Sequence, residues 1–176
     1  MSTIAIFGGS FDPPHLGHAL AAAWARWCGG ADQVWVFPAA NHPYAKALTP
    51  WEQRWRLCQL AFADLPFVSL RDDERRSTGY TVDLVEFLQR EHPGHRWLLV
   101  GGTDTARDMI SWRRGADLAR LVEIVCVPRG GFDDHPGALP AISSSLVRER
   151  LRTGGDIRGL LTQTVADDIA RNRWYH

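Results

Sequence analysis

The chain has 176 residues, 20 Lys+Arg balanced by 20 Asp+Glu, and 45% hydrophobic against 23% charged residues. That is enough chain for one domain with its own core, spanning 1–176 with a helical C-terminal part from about 143. Zero net charge excludes the strongly basic surface that wholesale nucleic-acid coating needs, and no apolar run approaches the roughly 20 residues of a membrane helix.

In chain order, the start Met1-Ser2-Thr3-Ile4 lacks a basic n-region, so no signal peptide is expected. Residues 4–7 read as a buried strand that ends at Gly8-Gly9, and residues 16–27 as a helix stopped by Gly29-Gly30. Residues 33–38 (QVWVFP) read as a second strand. Thr49-Pro50-Trp51-Glu52 predicts a helix start, with Thr49 as cap, Pro50 in the first helical position and Glu52 completing a capping box; that helix runs to about Ala63. A short strand over 67–70 follows, then a helix over 81–91 with Val82, Val85 and Leu88 on one face. Residues 97–100 and 124–127 are further strands, and 144–151 and 164–171 further helices. Alternation at this spacing predicts βαβ units with right-handed crossovers. The fold class is therefore α/β, a Rossmann-like doubly wound parallel sheet with helices on both faces. Ligands of such sheets bind outside the carboxyl ends of the strands, so the loops after Phe7, Phe37, Val100 and Val127 are the informative ones.

Cys28, Cys58 and Cys126 are odd in number and widely spaced, each in an apolar stretch. They read as small buried hydrophobes in a reducing cytoplasm, with no disulfide framework. Lys46 is the only lysine, and the other nineteen cations are arginines. Arginine suits bidentate phosphate recognition, and a GC-rich coding sequence also inflates Arg, Ala, Gly, Pro and Trp together; composition leaves both readings open.

The first loop, Gly8-Gly9-Ser10-Phe11-Asp12-Pro13-Pro14-His15-Leu16-Gly17-His18, combines glycines with a helix start. Backbone amides can approach a ligand there, and the helix offers unpaired N–H groups and its positive dipole end, which favours a phosphate. Neither GxGxxG nor GK[ST] is present. His15 and His18 are three apart and share a face once the first turn forms. Two imidazoles beside a phosphate can stabilise charge during phosphoryl or nucleotidyl transfer. A zinc pair, which requires a third ligand and usually a carboxylate second shell, and two surface histidines are the competing readings.

GGSFDPPHLGH resembles the GxFDPxHxGH signature of the nucleotidylyltransferase superfamily, and within it the chain is most similar to the bacterial nicotinate-nucleotide adenylyltransferases. A second match, Ile142-Ser143-Ser144-Ser145-Leu146-Val147-Arg148, resembles the ISSTxIR motif of that family, and the likeness runs from Ile4 to about Leu151. The resemblance implies that the 5′-phosphate of an acceptor attacks the α-phosphorus of ATP and pyrophosphate leaves, with no covalent enzyme intermediate. Catalysis is then positioning plus electrostatics. His18, His15 and Arg148 carry over as catalytic residues. ATP contacts carry over to Gly8, Gly9, Ser10 and Phe11 in the first loop, to Gly101 and Asp104 after the fourth strand, and to Ile142, Ser143, Ser144 and Arg148. Read without the family, Ser143 is a helix cap, and Arg148, Arg150 and Arg152 are a solvated helix face.

For the acceptor, Gly79-Tyr80-Thr81 resembles the SYT segment that holds the nicotinate carboxylate, and Trp112 falls where the family stacks a tryptophan on the nicotinate ring. Thr81 also reads as a helix cap and Trp112 as packing. After the second strand the family reads PNxxPPHK; here Tyr44 stands in place of the histidine and Lys46, a phosphate contact, falls one place later. The expected substrates are ATP and nicotinate mononucleotide, with Mg²⁺ held mainly by the triphosphate and no dedicated protein metal ligands. Nicotinamide mononucleotide or phosphopantetheine as acceptor, and a catalytically silent nucleotide-binding module, are the alternatives. No nucleic-acid or membrane partner is expected, and a homo-oligomer is compatible with the sequence.

Overall fold

Residues 4–7, 34–38 and 97–100 are buried at every position, as strands without polar alternation must be when helices cover both faces of their sheet. The protein is described by a computed structural model covering residues 1–40, 47–132 and 134–175. Strands β1 (Thr3–Gly9), β2 (Gln33–Pro38), β3 (Val68–Leu70), β4 (Arg96–Gly102) and β5 (Glu123–Val127) form a sheet in the order β3-β2-β1-β4-β5, with every neighbouring pair parallel. The chain leaves β1 toward β2 and β3, then returns to build β4 and β5 on the other side. The crossovers diverge between β1 and β4, which opens a crevice above their carboxyl ends.

Seven helices accompany the strands among the described residues: α1 (Leu16–Trp27), α2 (Trp51–Ala61), α3 (Thr81–Glu91), α4 (Thr103–Asp108), α5 (Gly115–Leu121), α6 (Ser144–Thr153) and α7 (Gln163–Asn172). Strand side chains alternate between two cores. Ala5, Phe7, Val36 and Val100 pack in one cluster with Ala22 and Ala25 of α1, Leu57 of α2, Val147 of α6 and Val165 of α7. Ile4, Ile6, Phe37 and Leu99 pack in the other with Val82, Val85 and Leu88 of α3 and Leu118 of α5. The doubly wound α/β arrangement with helices on both faces is the one expected.

Two local expectations are corrected, and three short elements are added. Thr49 does not cap α2: Pro50 occupies the cap position without a side-chain hydrogen bond, and the Thr49 hydroxyl donates instead to the Asp12 carboxylate. Of the cysteines only Cys58 is buried; Cys28 closes α1 at the surface, and Cys126 lies on the exposed side of edge strand β5. Helix α5 and the 3-10 turns Asp73–Arg76 and Met109–Ser111 were not expected. Each spans seven residues or fewer, too short for an apolar period to register.

Candidate active site

The loop after β1 enters the crevice and turns into α1. His15 is the extended residue before the helix, and no acidic residue sits in the first turn, so the positive end of the helix is not neutralised locally. The His15 backbone N–H donates to Nδ1 of His18 (3.1 Å), and the two imidazoles stack with centroids 3.7 Å apart and planes inclined by 25°. An imidazole accepting at Nδ1 in its neutral form carries its proton on Nε2, so His18 is set as an Nε2–H donor. Gly17 makes the stack sterically possible. A Cβ there would lie 3.0 Å from His15 Nδ1 and 3.1 Å from its Cε1.

Both histidines are held neutral. Burial pushes the His15 pKa down to about 4, with the Arg129 charge adding to the effect. Burial also holds His18 well below the ordinary histidine range, helped by His15 and then Arg129. Nδ1 of His15 is buried without a hydrogen-bond partner among the described residues.

These groups line a cavity of about 220 Å³ together with Gly8, Gly101, Asp104 and Ile142. Arg129, just past β5, reaches into the same cavity, donating Nη2 to the Ile142 carbonyl (3.1 Å) and lying 3.5 Å from Asp104 Oδ2. Asp104 Oδ1 is buried without a partner among the described residues. Sequence reading missed Arg129. Its signal was positional: it stands in the loop after Val127, at the carboxyl end of a strand bordering the crevice.

A second cavity, of about 360 Å³, lies on the other side of β1 and β4, lined by Ser10, Glu74, Tyr80, Thr81, Trp112 and Arg113. Gly8, Val100 and Thr105 line both cavities. Nothing lies within 4 Å of where a Gly8 Cβ would stand, so the end of the central strand presents bare backbone to the space the cavities share. Helix α3 begins at Thr81 with Tyr80 before it and no side-chain cap, so Thr81 does not act as the cap. The uncapped first turn leaves its first backbone N–H groups open at the cavity wall, with the Asp83 carboxylate in the same turn. Arg113 lies over the Tyr80 ring at 4.3 Å. Burial raises the pKa of Glu74, against a backbone hydrogen bond from Ala40 and the charge of Arg54, and its Oε2 has no partner among the described residues. Arg113 and Glu74 carried no sequence motif.

The remaining predicted residues divide. Gly9 and Ser10 line the second cavity and not the first. Phe11 is 1% exposed and its ring packs on Phe7, Phe62 and His18, so any contact it makes with ATP goes through its backbone. Ser143 caps α6 by accepting from the Leu146 N–H, and Ser144 donates to the Pro13 carbonyl (2.9 Å), which ties the helix to the first loop. Arg148 lines neither cavity; its guanidinium donates to the Asp12 carbonyl and to Ser145 Oγ (3.3 Å). Arg150 and Arg152 are exposed. Lys46 and Tyr44 lie outside the described residues. Among the described residues no group of three or more His, Cys, Asp or Glu could hold a metal ion, and no helix is long and apolar enough to cross a membrane.

The first loop is anchored from below by a residue no motif announced. Arg54 of α2, 2% exposed, donates Nη1 to the Ser10 carbonyl (2.8 Å), Nη2 to the Ala39 carbonyl (2.7 Å) and Nε to the Thr49 carbonyl (2.9 Å). One buried fork thus joins the loops after β1 and β2 to the start of α2.

Residues 6–150 match the cytidylyltransferase-like family model. A protein of Anaeromyxobacter dehalogenans named "Probable nicotinate-nucleotide adenylyltransferase" is 39% identical over 179 residues, covering 98% of this chain and 96% of its own. One of the same name from Thermus thermophilus is 33% identical over 183 residues, covering 98% of each. The Plasmodium falciparum nicotinic acid mononucleotide adenylyltransferase complexed with NaAD shares the fold, with a TM-score of 0.87 at 23% identity over 99% of this chain and 98% of that one. With this fold, this crevice and these matches, the chain belongs to the cytidylyltransferase-like family, among its nicotinate-nucleotide adenylyltransferases.

Proposed function

We propose that the protein transfers AMP from ATP to nicotinate mononucleotide, giving the deamido dinucleotide and pyrophosphate. The observation that carries this reading is the pair of cavities meeting at Gly8, Val100 and Thr105, one holding the histidine pair and Arg129, the other Tyr80, Thr81 and Trp112. Two ligands bound side by side there bring their phosphates together over the end of β1.

ATP binds in the first cavity, where an accompanying magnesium ion would be held mainly by the triphosphate and would offset part of its charge. An oxygen of the acceptor phosphate attacks the α-phosphorus; the bond to the bridging oxygen breaks and pyrophosphate departs with that electron pair. His18 donates from Nε2 to a phosphate oxygen, while the first turn of α1 and Arg129 meet the charge that builds on the leaving group. Being neutral, the histidines donate hydrogen bonds without binding the product pyrophosphate as ion pairs. In the second cavity, the uncapped start of α3 takes the ring carboxylate, and Trp112 stacks on the ring. Arg148, held on the Asp12 carbonyl, supports the loop that meets the triphosphate. We place the reaction in the cytoplasm.

The test is pyrophosphate release from ATP with nicotinate mononucleotide, nicotinamide mononucleotide and phosphopantetheine supplied in turn. Release with the first alone is the expected result. Preference for another acceptor replaces the substrate, and no release with any acceptor overturns the reading.

A further inference from the structure

The segment after α7 returns to the first loop. Arg173 takes a left-handed conformation (φ 53°), the Trp174 N–H donates to the Ile169 carbonyl (3.1 Å), and Tyr175 is left-handed as well (φ 65°). The Tyr175 hydroxyl then donates to Oδ1 of Asp12 (2.8 Å), 163 residues earlier in the chain. Asp12 is 4% exposed, and the same carboxylate receives the Thr49 hydroxyl and the Thr49 backbone N–H (3.3 Å). The two hydroxyls are themselves 3.2 Å apart.

We propose that Tyr175 is a positioning residue for nucleotide binding: by holding the Asp12 side chain, it keeps the loop between β1 and α1 in the form that receives the triphosphate. Among the described residues, the side chains Arg54, Arg148 and Ser144 hold this loop through the backbone carbonyls of Ser10, Asp12 and Pro13. The Asp12 carboxylate is a side-chain hydrogen-bonding handle on the loop, and Tyr175 and Thr49 are its neutral donors. Phe11, beside Asp12, is also left-handed (φ 48°). A non-glycine residue keeps such a conformation only where its surroundings over-determine it, and here residues on both sides of the Asp12–Tyr175 bond do so. Three residues beyond Asp12 stands His15, so a shift of the carboxylate carries directly to the histidine stack. Burial raises the Tyr175 pKa, which keeps the hydroxyl protonated and donating at any working pH.

The proposal rests on the nucleotide site described above and is independent of the acceptor. Tyr175→Phe keeps the ring and removes the hydroxyl. Binding of a non-hydrolysable ATP analogue, measured by calorimetry, is expected to weaken about tenfold, the scale of a lost hydrogen bond to a buried charged group. In turnover, KM for ATP should rise while KM for the acceptor stays. A residue that only stabilises the fold would lower Tm and move both constants together or neither. Unchanged analogue affinity in Tyr175→Phe, with or without a lower Tm, overturns the proposal. Should that variant fail to fold, Thr49→Val removes the second hydroxyl from the same carboxylate and is expected to show the same selective loss; wild-type affinity there overturns the proposal equally. Because analogue binding needs no acceptor, a wrong acceptor assignment leaves this test intact.

Discussion

His15 and His18 stack face to face, 3.7 Å between ring centroids, with the backbone N–H of the first donating to Nδ1 of the second. Two protonated imidazoles could not sit so close, and burial with Arg129 nearby keeps both neutral. The stack therefore orients one donor, Nε2–H of His18, at the cost of a buried polar ring beneath it.

His18→Ala removes that donor while leaving the core strands untouched. Turnover should fall by roughly 10²–10³-fold, the range for one lost transition-state donor, with Tm close to wild type. Near-normal steady-state turnover in the purified variant would contradict the role given to the pair.

The same burial makes acid stability depend on His15. Its folded pKa of about 4 lies below the ordinary value of 6.5. Between those values the unfolded chain binds a proton that the folded chain refuses, so stability is full above about pH 6.5 and falls as the pH drops toward 4. The loss approaches roughly 3 kcal/mol from this one group, and His18, lowered in the same direction, adds to it. In His15→Gln, urea denaturation at pH 7 and pH 4.5 should show a visibly smaller difference than in the wild type. An identical difference would mean that the folded histidine titrates normally.

Arg129→Met takes away the cation beside the stack and the donor to the Ile142 carbonyl. ATP-dependent turnover should drop about 10–100-fold. The His15 pKa should also rise from about 4, staying below 6.5 because burial is its larger cause. Titration of the imidazole resonances by NMR reads this directly, and an unmoved value would remove Arg129 from the electrostatics of the site.

Arg54→Met preserves bulk and deletes three donors to the carbonyls of Ser10, Ala39 and Thr49. Leaving these acceptors unpaired inside the fold should cost about 3 kcal/mol or more, read as a lower urea midpoint with an unchanged m value. A midpoint within error of wild type would show that water replaces the fork freely.

The strands and the longer helices were legible because their patterns are local: residues 4–7 and 97–100 carry unbroken apolar runs, and Val82, Val85 and Leu88 recur at helical spacing. The first loop was legible too, since its glycines, its helix start and its paired histidines are contiguous. Thr49 misled because a threonine before Pro-Trp-Glu is a good local cap, yet a buried carboxylate 37 residues earlier is the stronger claim on its hydroxyl. That the Phe11 ring lies inside the core was not legible, because the motif fixes the residue and not where its ring points.

The sequence by itself determined the parallel α/β order, the glycine-rich turn after β1 and the two histidines on one helical turn, all properties of neighbours in the chain. Only the tertiary structure decided which charges act on them. Arg129 tunes the histidines, Arg54 holds the loop, and Tyr175 reaches Asp12 across 163 residues. The reason is physical: a pKa or a hydrogen bond depends on distance through space and on burial, and a parallel sheet brings together strand ends that the chain itself keeps far apart.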